Sequence, residues 1–212
     1  MKISEIFYSV EGEGIEIGRP EFFVRFTGCN LRCKWCDTKY AFENGKDMET
    51  GEIIQEVSKY PCKSVSITGG EPLLQRNGVL GLVKKLKELN YWVQINTNGT
   101  IFDEEIFRLV DLISMDHKCP SSRMNSDFKV LKRTRKLFNS KTQFKFIISD
   151  KEDYRYAKKI VSSLDATNVV FQPEWSNRKF TKRLVELVKK DNLNVKIILQ
   201  QQKMIWGVKR GV

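Results

Sequence analysis

Apolar residues recur along this chain at two spacings. Short runs rich in β-branched and aromatic residues alternate with longer stretches where apolar positions return every three or four residues. The first kind predicts strands at residues 21–26, 64–68, 92–96, 110–115, 143–149, 169–172 and 195–199. The second predicts helices. Val79, Leu82, Val83, Leu86 and Leu89 share one face, and Tyr154, Ala157, Ile160, Val161 and Leu164 share another, behind Asp150 as N-cap. Phe180, Leu184, Leu187 and Val188 mark a third face, opened by Asn177. Shorter faces fall at Ile53, Ile54 and Val57, and at Ile106, Phe107 and Val110, whereas residues 127–138 show no clear period. Strands alternating with helices imply right-handed βαβ units and a parallel sheet. Six or seven such strands make either an open doubly wound sheet or an incomplete barrel. In both, ligands gather at the carboxyl ends of the strands.

The length of 212 residues suits a single domain, and 41% hydrophobic with 30% charged residues is ordinary for a globular chain. No apolar run approaches the ~20 residues that span a bilayer. The opening Met1-Lys2-Ile3-Ser4-Glu5 lacks a signal-peptide pattern, so the expected compartment is the cytoplasm, with no membrane association. The 37 Lys and Arg against 26 Asp and Glu leave a net charge of +11, which favours anionic partners or a solvated basic surface. The single histidine, His117, excludes a multi-histidine metal site.

Five cysteines, an odd number, argue against a disulfide framework. Cys29, Cys33 and Cys36 cluster with C-x3-C-x2-C spacing directly after the first predicted strand. Thiolates suit zinc or iron–sulfur clusters. Zinc would need a fourth protein ligand from afar, such as Cys62, Cys119 or His117. Three cysteines can instead hold three irons of a 4Fe–4S cluster and leave the fourth open to a ligand that is not protein, and spacing alone leaves both readings standing. Cys62 reads as a small buried apolar residue, and Cys119 falls in a loop.

The triad, with Trp35 before its last cysteine, resembles the signature of the radical S-adenosylmethionine enzymes. Thr68-Gly69-Gly70-Glu71-Pro72 resembles that family's GGEP motif, which lies against the methionyl amino group. A closer resemblance, to the 7-carboxy-7-deazaguanine synthases, runs over nearly the whole chain. It rests on Phe7-Tyr8-Ser9-Val10-Glu11-Gly12-Glu13-Gly14, Gly18-Arg19-Pro20, Phe23-Val24-Arg25-Phe26, Cys36-Asp37-Thr38, Asn96-Thr97-Asn98-Gly99-Thr100 and Asp116-His117-Lys118-Cys119-Pro120-Ser121-Ser122. The tail from Trp206-Gly207 to Gly211-Val212 belongs to it too. Two positions depart from the pattern: Glu11 stands where glutamine is usual, and Gln202 where a tail histidine is common.

The resemblance implies an α/β fold, an incomplete βα barrel of about six parallel strands. It implies one domain over residues 1–212, with an N-terminal substrate-lining segment and a C-terminal tail folding back toward the site. The implied reaction contracts 6-carboxy-5,6,7,8-tetrahydropterin to 7-carboxy-7-deazaguanine with loss of ammonia, toward queuosine or archaeosine. Implied cofactors are one 4Fe–4S cluster on Cys29, Cys33 and Cys36, S-adenosylmethionine and Mg²⁺. Trp35, Gly70, Glu71, Ser114, Asp116, Lys118 and Gln172 are then expected around S-adenosylmethionine. Val10, Glu11, Gly12, Glu13, Arg25, Thr68 and Val212 are expected around the substrate, with Arg25 gripping its carboxylate. Thr38 is the expected Mg²⁺ ligand, assisted by Asp37. An electron donor such as flavodoxin or ferredoxin and a homodimer follow from the same resemblance, and no direct nucleic-acid contact is expected. Two rivals share parts of the pattern. An activase of glycyl-radical enzymes would carry the triad, and a basic RNA-binding module with structural zinc would carry the charge, although no RNA-binding signature is present.

Overall fold

Runs whose side chains alternate between apolar and polar build the centre of the molecule. The computed structural model describes residues 1–212. In chain order the elements are β1 (Lys2–Val10), β2 (Pro20–Phe26), β3 (Lys46–Asp47), α1 (Thr50–Val57), β4 (Ser64–Gly69), α2 (Arg76–Glu88), β5 (Trp92–Thr97) and α3 (Glu104–Leu109). They continue with β6 (Leu112–Asp116), α4 (Phe128–Phe138), β7 (Thr142–Ile148), α5 (Lys151–Leu164), β8 (Asn168–Pro173), α6 (Thr181–Lys190), β9 (Lys196–Ile197) and α7 (Gln201–Trp206). All strands join one nine-stranded sheet ordered β3-β1-β2-β4-β5-β6-β7-β8-β9. From β2 through β9 every pairing is parallel, while β1 runs antiparallel between β2 and β3. Six parallel strands of normal length and the two-residue β9 form the partial barrel.

The two faces of the sheet differ in chemistry. One carries Val65, Ile67, Val93, Ile95, Ile113, Met115, Phe144, Phe146, Ile148, Val169 and Phe171, buried against the apolar faces of the helices. Val79, Leu82, Val83 and Leu86 of α2 and Tyr154, Ala157, Ile160 and Leu164 of α5 enter that core at the predicted helical spacing. The other face alternates with it and is polar. Arg25 pairs in register with Thr68, Asn96 with Ser114, Ser114 with Gln143, and Asp116 with Lys145. A doubly wound sheet buries both faces under helices and needs both apolar. A polar inner face belongs to a barrel interior that holds a ligand.

Several boundaries differ from expectation. β1 was not expected, because a register shift between Ile3 and Glu5 breaks its alternation and leaves most of its side chains half-buried. Val110, expected in a helix and a strand alike, closes α3 as its C-cap, and the following strand begins at Leu112. Most of the 127–138 run forms α4, and Asp127 is its N-cap, its side chain accepting from Lys129 N at 2.7 Å. Asn177 does not open α6; Glu174 caps a 3₁₀ turn, Trp175–Phe180, that precedes it. The run at 195–199 pairs only through Lys196 and Ile197, a short edge that resists pairing with another sheet. Asp150 caps α5 as expected, accepting from Glu152 N at 2.9 Å and Asp153 N at 3.0 Å.

Candidate active site

The carboxyl ends of the parallel strands open into a cavity of about 260 Å³. Cys29, Cys33, Cys36 and Trp35 line it from the loop after β2. Val10 at the end of β1 and Glu11, Gly12 and Glu13 in the loop after it line it, and Arg25, Thr68, Gly70, Ser114, Asp116, Lys118 and Gln172 line it from the strands and their exits. Thr38 and Val212 complete the expected residues that reach it. Glu71 is the one that does not.

Glu71 is fully buried behind the cavity wall. Its oxygens accept from the Thr97 hydroxyl at 3.0 Å, Asn98 N at 2.7 Å and Leu73 N at 3.1 Å. Burial pushes its carboxyl up to about 7, against the pull of those backbone N–H groups. Glu71 therefore ties the end of β4 to the Thr97–Asn98 corner instead of offering itself to a ligand. Gly70 is obligatory there: a Cβ would stand 2.1 Å from the Gly28 carbonyl oxygen. The GGEP segment thus presses the cysteine loop into place through backbone contact, with Glu71 N donating to Gly28 O at 2.8 Å.

The donor set around the cysteines suits an iron–sulfur cluster. Leu31 N lies 3.4 Å from Cys29 Sγ and Asn98 Nδ2 lies 3.8 Å from it, so amide donors already face the sulfur. Burial raises the Cys33 and Cys36 thiols, so a cationic cluster is what would hold them as thiolates. No three His, Cys, Asp or Glu side chains converge tightly enough to ligate one metal ion. None of the distant residues considered as a fourth zinc ligand lines the cavity. The Cys62 thiol donates to Pro20 O at 3.3 Å, and Cys119 is fully buried. His117 stacks on Tyr156 at 5.9 Å, and burial, then Lys118, push it down to about 4.

Buried charges cross the cavity in alternating sign. Glu13 pairs with Lys145 at 2.8 Å, Lys145 with Asp116 at 3.2 Å, and Asp116 with Lys118 at 2.7 Å. Burial opposes each charge, yet Lys145 holds the Glu13 carboxyl well below the usual range. Lys118 and Lys145 likewise hold Asp116 low. Lys145 itself is pushed up, because Asp116 and Glu13 outweigh its own burial. Lys145 went unnoticed in the sequence, since its partner Glu13 is 132 positions away.

The segment after β1 plugs the barrel beneath this chain. Ile15 N donates to Gln143 Oε1 at 2.7 Å, Gln94 Nε2 to Glu11 Oε2 at 2.7 Å, and Gly14 adopts φ +70 against Gln143. Beside Glu11 the Glu21 carboxyl is buried, its Oε2 accepting from the Ser64 hydroxyl at 3.2 Å and its Oε1 without a hydrogen-bond partner. Burial, then the neighbouring Glu11, push Glu21 up to about 9. Arg25 is oriented by Glu5, which accepts from Arg25 Nε at 2.7 Å, from Tyr40 at 2.8 Å and from Arg210 at 2.7 Å. The terminal nitrogens of Arg25 make no hydrogen bond within the chain, so they are free for a ligand carboxylate.

The expected Mg²⁺ site does not fit as well. The Thr38 hydroxyl donates to Asp37 Oδ1 at 2.8 Å, but Asp37 Oδ2 already holds the Lys203 ammonium at 2.5 Å. The carboxylate expected to assist a dication is thus already paired with an ammonium. The tail is strapped over the cavity at the same point. Gln201 N donates to Gly12 O at 2.8 Å, and Gln200 and Gln202 donate to Glu13 Oε1 at 2.7 and 3.1 Å. Gln200, Gln202 and Lys203 were not anticipated in these contacts.

The radical SAM superfamily profile matches residues 23–143. The 7-carboxy-7-deazaguanine synthase of Thermoplasma acidophilum is 36% identical over 219 residues, covering 100% of both chains. That of Clostridium acetobutylicum is 36% identical over 224 residues, covering 100% of this chain and 99% of its own. The crystal structure of QueE from Escherichia coli superposes with a TM-score of 0.73 over 94% of this chain and 93% of that one, at 22% identity, and so shares the fold.

Proposed function

Because this chain belongs to the radical S-adenosylmethionine superfamily and, within it, to the 7-carboxy-7-deazaguanine synthases, we propose that it contracts 6-carboxy-5,6,7,8-tetrahydropterin to 7-carboxy-7-deazaguanine and releases ammonia. The product would enter 7-deazapurine synthesis, toward queuosine or archaeosine. The observation that carries this reading is one cavity that joins three free cysteines to a set of carboxylate and cation groups matched to a carboxypterin.

Cys29, Cys33 and Cys36 would hold a 4Fe–4S cluster, which together with S-adenosylmethionine would supply radical chemistry. The chain's own residues bind, orient and shield. Gly69 and Gly70 let the β4 exit pack against the backbone of Phe26 and Gly28 and so position the cysteine loop, while Ser114, Asp116, Lys118 and Gln172 line the cavity where they would surround a cofactor. Glu13, kept ionised by Lys145, accepts from the N–H edge of an aminopyrimidinone ring. Arg25 receives the carboxylate through its unpaired nitrogens. Val10, Glu11, Gly12 and Thr68 shape the ring site, and the tail ending at Val212 closes it from solvent. A flavodoxin or ferredoxin is the reductant this basic chain suits, and the active form is a homodimer.

The test is turnover under anaerobic conditions with carboxy-tetrahydropterin, S-adenosylmethionine and reductant. Product without added protein substrate and without net consumption of S-adenosylmethionine supports the synthase. Cleavage of S-adenosylmethionine only in the presence of a protein substrate would transfer the chain to the activases.

A further inference from the structure

Lys203 sits on α7, yet its ammonium lies inside the cavity with only 11% of the side chain exposed. An ammonium has three N–H donors. One goes to Asp37 Oδ2 at 2.5 Å and a second to Gln200 Oε1 at 3.1 Å. The third has no partner in the chain and is available to whatever fills the cavity. The other oxygen of Asp37 accepts from Thr38, so a single carboxylate separates the lysine from the hydroxyl expected to bind a divalent ion. Gln200 Nε2 approaches the same carboxylate at 3.5 Å and donates to Glu13, which locks the lysine between two anchored groups.

A dication placed beside Thr38 would face this ammonium across one shared carboxylate, Asp37, whose side chain is 43% exposed. It would also find its natural counter-ion, Asp37, already neutralised. We propose that Lys203 takes the place of the divalent cation in this chain. Its ammonium, with Arg25, neutralises the ligand carboxylate, and the enzyme works without Mg²⁺. The identity of that carboxylate rests on the carboxypterin reading; the exclusion of the metal does not.

The experiment is a titration of the cluster-loaded protein with Mn²⁺, followed by electron paramagnetic resonance, alone and with 6-carboxypterin. The wild type and Lys203→Arg are expected to show no stoichiometric Mn²⁺ site, and Lys203→Gln to gain one, with affinity raised about tenfold or more. Turnover in metal-stripped buffer should match turnover with Mg²⁺ for the wild type, while Lys203→Gln should require Mg²⁺. A stoichiometric Mn²⁺ site in the wild type, or none in Lys203→Gln, overturns the proposal. Should the glutamine variant fail to fold, a Mn²⁺ site in the wild type or in Lys203→Arg still does so. Absence of pterin turnover in every protein, with the expected Mn²⁺ pattern intact, would instead count against the substrate.

Discussion

At the scale of single residues, the cavity is governed by carboxylates whose neighbours differ. Glu13 faces an ammonium and stays ionised, whereas Glu21 faces another carboxyl and keeps its proton to about pH 9. The unfolded chain releases the Glu21 proton near its ordinary value of 4.5. The folded state therefore binds more protons in that window, and its stability from this group falls as pH rises through it. Glu21→Gln removes that dependence. Denaturant unfolding at about pH 6 and about pH 8.5 should show the variant losing less, relative to wild type, at the higher pH. A difference independent of pH would contradict the raised Glu21 carboxyl. Glu71 makes a different prediction. Glu71→Ala strands the Asn98 and Leu73 amides and should cost about 3 kcal/mol in thermal unfolding, with impaired cluster retention, since Asn98 faces Cys29. Full stability with lost S-adenosylmethionine affinity would restore Glu71 as a ligand.

At the scale of elements, legibility followed locality. The cysteine loop, the Glu11–Glu13 turn and Arg25 sit in contiguous motifs, and each reached the cavity. The choice between barrel and doubly wound sheet was also written in the strands. Ser66, Gln94, Ser114 and Lys145 interrupt otherwise apolar runs with period two, which marks a polar interior. β1 escaped notice because its bulge breaks that period, and Lys145, Gln200 and Lys203 because pairing across the fold leaves no local trace. GGEP misled about Glu71 for the same reason, since its partners Thr97 and Asn98 come from β5 and the turn after it. Lys145 joins β7 to β6 and to the plug segment. Lys145→Met leaves Glu13 and Asp116 buried without it, and should cost about 3–5 kcal/mol in urea unfolding. A loss below about 1 kcal/mol would mean that the charge chain is dispensable to the fold.

At the scale of the whole molecule, seven parallel strand ends converge on one cavity while the net charge of +11 spreads over the surface. No helix is long and apolar enough to cross a membrane. The buried charges in the cavity are paired, so the excess is available to steer an anionic partner. Reduction by an acidic flavodoxin should slow several-fold between about 50 and 500 mM salt, as screening shortens the reach of that field. A rate indifferent to salt would remove electrostatic steering from the account.

The central claim is that three thiols hold an iron–sulfur cluster with one iron left for S-adenosylmethionine. It is tested most directly by iron and sulfide analysis of oxygen-free protein, joined to electron paramagnetic resonance of the reduced form with and without S-adenosylmethionine. The account predicts about four irons per chain and a spectrum that changes when S-adenosylmethionine binds. One zinc per chain, with no iron–sulfide absorbance and no such signal, would contradict it.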